Sequence, residues 1–165
     1  MSRMFDTLII GDGSGIADGN IFFHIDSIHS VFSFLSKLPV EYVLKRHPLP
    51  IIYEHKDIYD LLFPDCEELA EYIPVEFYFQ FVANNVISIC SYSLIFVSIF
   101  PDLKAISLLE LVDWKDESYK NEIKTDMLAK SKNNIQFPSD LEMLEKLIME
   151  GRKNELVCND IEGAI

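Results

Sequence analysis

The chain has 165 residues, with 27 Asp and Glu against 14 Lys and Arg, a formal net charge of −13 at pH 7. That balance disfavours direct binding to nucleic-acid phosphates, which requires an excess of Lys and Arg. Hydrophobic residues make up 49% and aromatics 12%, too apolar for a disordered acidic tail and enough for one packed domain over 1–165.

Residues 5–10 (FDTLII) read as a strand stopped by Gly11. The glycine-rich run 11–19 (GDGSGIADG) predicts a turn into a second strand over 20–25. Ser27 is placed to cap a helix through Leu38, with Ile28, Val31, Phe32, Leu35 and Leu38 on one face and Pro39 as its stop. Pro48 and Pro50 make the run before Ile51 extended, because proline disfavours helix in the residue before it.

Two short acidic helices are expected next. The first turns Ile58, Leu61 and Leu62 inward and Asp57 and Asp60 outward, up to Pro64. The second starts at Asp65, buries Cys66, Leu69 and Ile73, and stops before Pro74. The period then changes to 2. In 75–82 (VEFYFQFV), Phe77, Phe79 and Phe81 alternate with Glu76, Tyr78 and Gln80, the pattern of a half-buried strand. Asn84-Asn85 predicts a hairpin turn, since Asn tolerates positive φ, and leaves two further strands at 86–90 and 94–100. Residues 105–112 (AISLLELV) fit strand or helix, with strand preferred. An exposed helix over 113–132 has Trp114, Ile123, Met127 and Leu128 as its apolar contacts. Ser139 to Glu142 forms a capping box for a helix through Glu150, with Leu141, Leu144, Leu147 and Ile148 as its stripe and Gly151 as terminator. About ten residues at the C-terminus read as a frayed end. The fold class this predicts is α+β: a single domain with a mostly antiparallel sheet packed against several helices.

Four patterns bear on chemistry. The loop after the first strand has Gly11 and Gly13, but a dinucleotide-binding G-x-G-x-x-G would need glycine where Ile16 stands. It also lacks the P-loop lysine and the calcium-loop register, so a flexible hairpin loop is expected. His24, Asp26 and His29 form a small cluster that could serve a metal-dependent enzyme, although zinc sites need three or four ligands held together. Asp26-Ser27 equally suits the start of a helix, where a carboxylate meets the positive end of the dipole. Cys66, Cys90 and Cys158 are odd in number and far apart, so neither a disulfide framework nor a C-x-x-C metal pair is expected. They read as reduced apolar residues of a cytosolic protein rather than nucleophiles. The uncharged run 77–101 is long enough to cross a bilayer. Asn84 and Asn85 split it, and Glu76 and Asp102 flank it, so sheet strands are expected in place of a membrane span. The start, MSRMFDTLIIGDGSG, shows no signal-peptide pattern. No catalytic residue, cofactor or metal is assigned.

The strongest signal is charge. Asp57, Asp60, Asp65, Glu67, Glu68, Glu71, Glu76 and Asp102 fall within 57–103, a stretch without Lys or Arg. Asp65 is a good N-cap, and Glu67 and Glu68 suit a first turn. Capping leaves Glu71 unexplained. On a helix it repels Glu67 at i,i+4 and Glu68 at i,i+3, at roughly 0.2–0.5 kcal/mol per pair. The run therefore reads as a docking face for a basic partner, with Asp57, Asp60, Glu67, Glu68 and Glu71 as contacting charges and Tyr59 and Tyr72 as anchors.

A small, strongly acidic single domain with an aromatic-rich sheet and no catalytic motif resembles the immunity proteins of bacterial polymorphic-toxin systems, including contact-dependent growth inhibition. The resemblance rests on size, charge and composition. It implies a cytoplasmic protein that binds and neutralises a cognate toxin domain, often a basic nuclease. A DNA-mimic inhibitor of a nucleic-acid-binding protein, and a small metal-dependent enzyme using His24, Asp26 and His29, are the alternatives.

Overall fold

The structure is a computed structural model and describes residues 5–12, 22–46 and 58–150. Asp57, most of the 11–19 loop, the Pro48–Pro50 region, Cys158 and the C-terminal end lie outside those residues.

Six strands form one sheet: β1 (Phe5–Ile10), β2 (Tyr42–Lys45), β3 (Glu67–Glu68), β4 (Val82–Ser88), β5 (Lys104–Ser107) and β6 (Ile135–Gln136). Their order is β3-β2-β1-β4-β5-β6, and every neighbouring pair is parallel. The fold is therefore α/β, and the expectation of a mostly antiparallel α+β sheet is corrected. The physical reason lies in burial. Thr7, Leu8, Ile9 and Ile10 are all buried, as are Val86, Ile87 and Ser88, so these strands are covered on both faces. Parallel sheets read as such continuous runs because their crossover helices pack on both sides.

Helices α1 (Ile25–Leu35) and α2 (Ile58–Leu62) pack together on the side of the sheet that runs from β1 to β3. Helices α3 (Ser93–Val97) and α4 (Glu117–Ser131) pack together on the side that runs from β4 to β6, and α5 (Leu141–Met149) follows. Right-handed crossovers require this arrangement when the chain winds outward from β1 and then from β4 in the opposite direction.

Helix α1 buries Ile28, Val31, Phe32 and Leu35, the face its periodicity predicts, and starts before Ser27. Helix α4 is opened by Asp116, whose carboxylate accepts from Ser118 N and Tyr119 N. Asp140 caps α5 by accepting from Met143 N at 2.8 Å, one residue beyond the Ser139 the sequence singles out.

Five local expectations fail. No strand forms at 22–24: Phe23 makes a single bridge to Trp114, and Ile25 already begins α1. Residues 65–73 are not a helix; Glu67 and Glu68 pair with Val43 and Leu44 as an edge strand. Residues 75–81 are a 3₁₀ helix burying Val75 and Phe79, while Phe77 is exposed. Asn84-Asn85 is no turn but the middle of β4. Asn84 Nδ2 donates to Asp6 Oδ1, and Asn85 Nδ2 donates to Thr7 Oγ1 at 3.1 Å and to Ile148 O at 3.3 Å. Those partners on β1 and α5 let two amides sit inside a sheet. The run 94–100 holds helix α3 in place of a strand. Among the described residues no helix is long and apolar enough to cross a membrane.

Candidate functional site

Strand order reverses between β1 and β4, so the connections leaving their carboxyl ends travel to opposite faces. Such a divergence leaves a crevice, the usual ligand position of open α/β sheets. Here it holds a cavity of about 1230 Å³, whose lining includes Gly11 and Asp12 after β1, Cys90 and Tyr92 after β4, and Trp114 and Tyr119 beyond β5.

Asp12 ties the two strand ends together. Its Oδ2 accepts from Ser88 Oγ and Ile89 N, both at 2.9 Å. Its Oδ1 accepts from Cys90 N at 3.1 Å and Cys90 Sγ at 3.6 Å. Burial raises this carboxyl above its ordinary value, against the hydrogen bonds from Ile89, Cys90 and Ser88, which lower it. Burial, then the charge of Asp12 and the hydrogen bond to it, push the Cys90 thiol far above the ordinary thiol range. Cys66 is pushed up to about 11 by burial and by Glu68 and Glu67. Neither thiol is activated as a nucleophile, because only the thiolate reacts.

One wall is aromatic. Phe23 packs edge-on against Trp114 at 4.4 Å between centroids, and Trp114 Nε1 donates to Leu109 O at 2.9 Å. Two backbone bonds, His24 N to Asp113 O and Lys115 N to Phe22 O, clamp this segment to the chain entering α1. Phe22 stacks on Tyr119 at 5.3 Å and 26°. Tyr119 is 39% exposed, so part of its ring is left for a ligand. At the rim Tyr92 donates to Asp126 Oδ2 at 2.6 Å, and Lys130 donates to the same oxygen at 2.7 Å. The bond to Asp126, with burial, pushes the Tyr92 phenol up to about 12. Glu122 and Asp126 also line the cavity, which therefore combines ring surface with carboxylates. That chemistry suits planar rings and hydroxyl donors.

Asp60, Glu67 and Glu68 lie elsewhere, at the β2–β3 side of the sheet. Arg46 donates to Asp60 at 2.6 Å and pairs with Glu68 at 2.7 Å, so two of the expected contacting charges have an internal cation. Tyr59 is buried against Phe32, at 5.3 Å between ring centroids, and is a core residue rather than a surface anchor. Glu67 and Glu71 are exposed, and Tyr72 is 86% exposed. The edge strand carries Glu67 and Glu68 outward, a common device against edge-to-edge pairing. His24 precedes α1, and Asp26 and His29 lie exposed on it. Among the described residues no three His, Cys, Asp or Glu side chains gather as a metal site.

The sequence assigns Gly11 and Asp12 to a hairpin loop and offers Trp114 only as an anchor beside the acidic run; Tyr92 and Tyr119 carry no local signal of a site. The order β3-β2-β1-β4-β5-β6, with a crevice at its reversal, places the molecule among doubly wound α/β domains. Compared with protein-family models, with curated proteins and with solved structures, the chain has no match in any of the three.

Proposed function

We propose that this domain binds a small ligand of the nucleotide class in the crevice between β1 and β4. A planar ring lies against Tyr119, and sugar hydroxyls donate to the carboxylates at the rim. The observation that carries this reading is the cavity of about 1230 Å³ at the reversal point of an all-parallel sheet. Doubly wound sheets hold nucleotides at that place because loops diverge there and backbone N–H groups converge.

The test is thermal unfolding and calorimetry with nucleosides, nucleotides and nucleotide-linked sugars. A ligand at 100 times its Kd stabilises by about 2.7 kcal/mol. At roughly 2–4 °C per kcal/mol for a domain of this size, Tm rises by several degrees. Tyr119→Ala weakens binding about tenfold, in line with roughly 1–3 kcal/mol per stacked base. No shift with any compound at millimolar concentration sinks the proposal.

The exposure of Glu67, Glu71 and Tyr72 favours a second reading, in which this side docks a basic protein such as a cognate toxin domain. Replacing Glu67 and Glu71 with Ser then slows association with that toxin domain and flattens its salt dependence. Unchanged association rates remove this reading.

A further inference from the structure

Beside the crevice lies a smaller cavity of about 390 Å³, at the carboxyl ends of β1, β2 and β4. Gly11, Ser91 and Ser93 line both cavities, so the two share a border. Lys45, the last residue of β2, lines the smaller one and is only 3% exposed. Its ammonium has three donors. Two are given to backbone carbonyls, Arg46 O at 3.0 Å and Glu71 O at 3.1 Å. Among the described residues no carboxylate makes an ion pair with it. A buried cation without a paired anion is costly, and natural structures supply the anion from the protein or from a ligand.

Ser91 adds a second donor. Its Oγ accepts from Ser93 N at 3.3 Å, and its own proton has no acceptor among the described residues. Glu71 and Glu76 stand on the same lining, and Glu76 Oε1 accepts from Ser93 Oγ at 3.1 Å. These two carboxylates make a free anion a weaker ligand than one that arrives attached to hydroxyl donors, without closing the site to it. A phosphate esterified to a sugar has both parts.

We infer that the smaller cavity is a phosphate subsite, in which Lys45 Nζ and the Ser91 hydroxyl bind the phosphate of a ligand whose ring occupies the neighbouring crevice. The inference rests on the crevice reading and adds to its ring position a place for the ligand's phosphate. Burial pulls the Lys45 ammonium below its ordinary value, and the charges of Glu71, Glu68 and Glu76 act the other way. A bound phosphate adds a further charge on the side that keeps the lysine protonated.

Calorimetry on the full chain tests this with a nucleoside, its 5′-phosphate and inorganic pyrophosphate. The expected result is at least tenfold tighter binding of the phosphorylated form, with pyrophosphate competing against the nucleotide. Lys45→Met abolishes that preference and leaves nucleoside affinity within twofold; Ser91→Ala reduces it in part. If Lys45→Met does not fold, the wild-type competition and Ser91→Ala carry the test. Nucleoside binding without a phosphate preference overturns the subsite and leaves the crevice reading standing. Pyrophosphate binding that depends on Lys45, without nucleoside binding, upholds the subsite and overturns the ring position. Binding of none of the three overturns both.

Discussion

Asp12 accepts four hydrogen bonds from the last residue of β4 and the turn after it, so it acts as a strut between two strand ends rather than as a free base. Asp12→Asn keeps the shape and replaces one acceptor oxygen with an N–H group. Either Ser88 and Ile89 or Cys90 then faces a donor, a loss of about 1–3 kcal/mol for buried groups left unpaired. Denaturant unfolding of the variant measures that loss. The pH dependence adds a sharper criterion. The Asp12 carboxyl is raised above 3.8 in the folded state, chiefly by burial. The folded state therefore holds this proton more tightly than the unfolded chain does. The resulting stability is fully present below 3.8 and is lost as pH rises through the raised folded value. Because Asn does not titrate, the gap between wild type and variant widens on acidification through that window. A constant gap would show that burial of Asp12 is not coupled to folding.

The elements that were legible in the sequence are those whose burial pattern is local. Helix α1 could be read from Ile28, Val31, Phe32 and Leu35, and β1 from its apolar run, because one face or one segment decides each. The 3₁₀ helix over Val75–Phe81 could not, because alternating phenylalanines imitate a strand while burial in fact follows Val75 and Phe79, four apart. Sheet direction is not local either. Asn84 and Asn85 carry a turn signal that their bonds to Asp6 and Thr7, 78 residues away in sequence, override. The candidate site suffers most from this, since Gly11, Tyr92 and Tyr119 meet only after four crossovers have been made. At the same scale, the end of α4 holds a removable strain. Lys132 is its C-cap in the left-handed region, at φ 54° and ψ 41°, and Asn133 follows at φ 63°. A side chain with a Cβ is disfavoured there, and glycine is the usual occupant. Lys132→Gly is expected to stabilise the protein by about 1 kcal/mol, raising Tm by roughly 2–4 °C. A lower Tm would mean that contacts of the lysine stem outweigh the backbone strain.

Across the described residues, several cations share a few acids. Arg46 bridges Asp60 and Glu68, Lys120 and Lys124 both reach Glu110, and Lys130 holds Asp126. At Glu110 burial raises the carboxyl, and the bonds and charges of Lys124 and Lys120 overcome it and leave it below its ordinary value. Such pairs use several lysines on one carboxylate and leave a surplus of acids behind the net charge of −13. Two opposing electrostatic effects therefore meet on this surface. Short ion pairs at 2.5–2.9 Å attract, and unpaired carboxylates farther apart repel. Salt separates them by distance, because the screening length falls from about 10 Å at 0.1 M to about 3 Å at 1 M. Repulsion across the molecule acts over lengths that this change removes, whereas contact pairs that are partly buried are screened much less. Stability is accordingly expected to rise as sodium chloride increases from low ionic strength to about 1 M, read as a steady increase in Tm. A falling Tm over that range would show that the ion pairs around Arg46 and Glu110 outweigh the excess charge in holding the fold together.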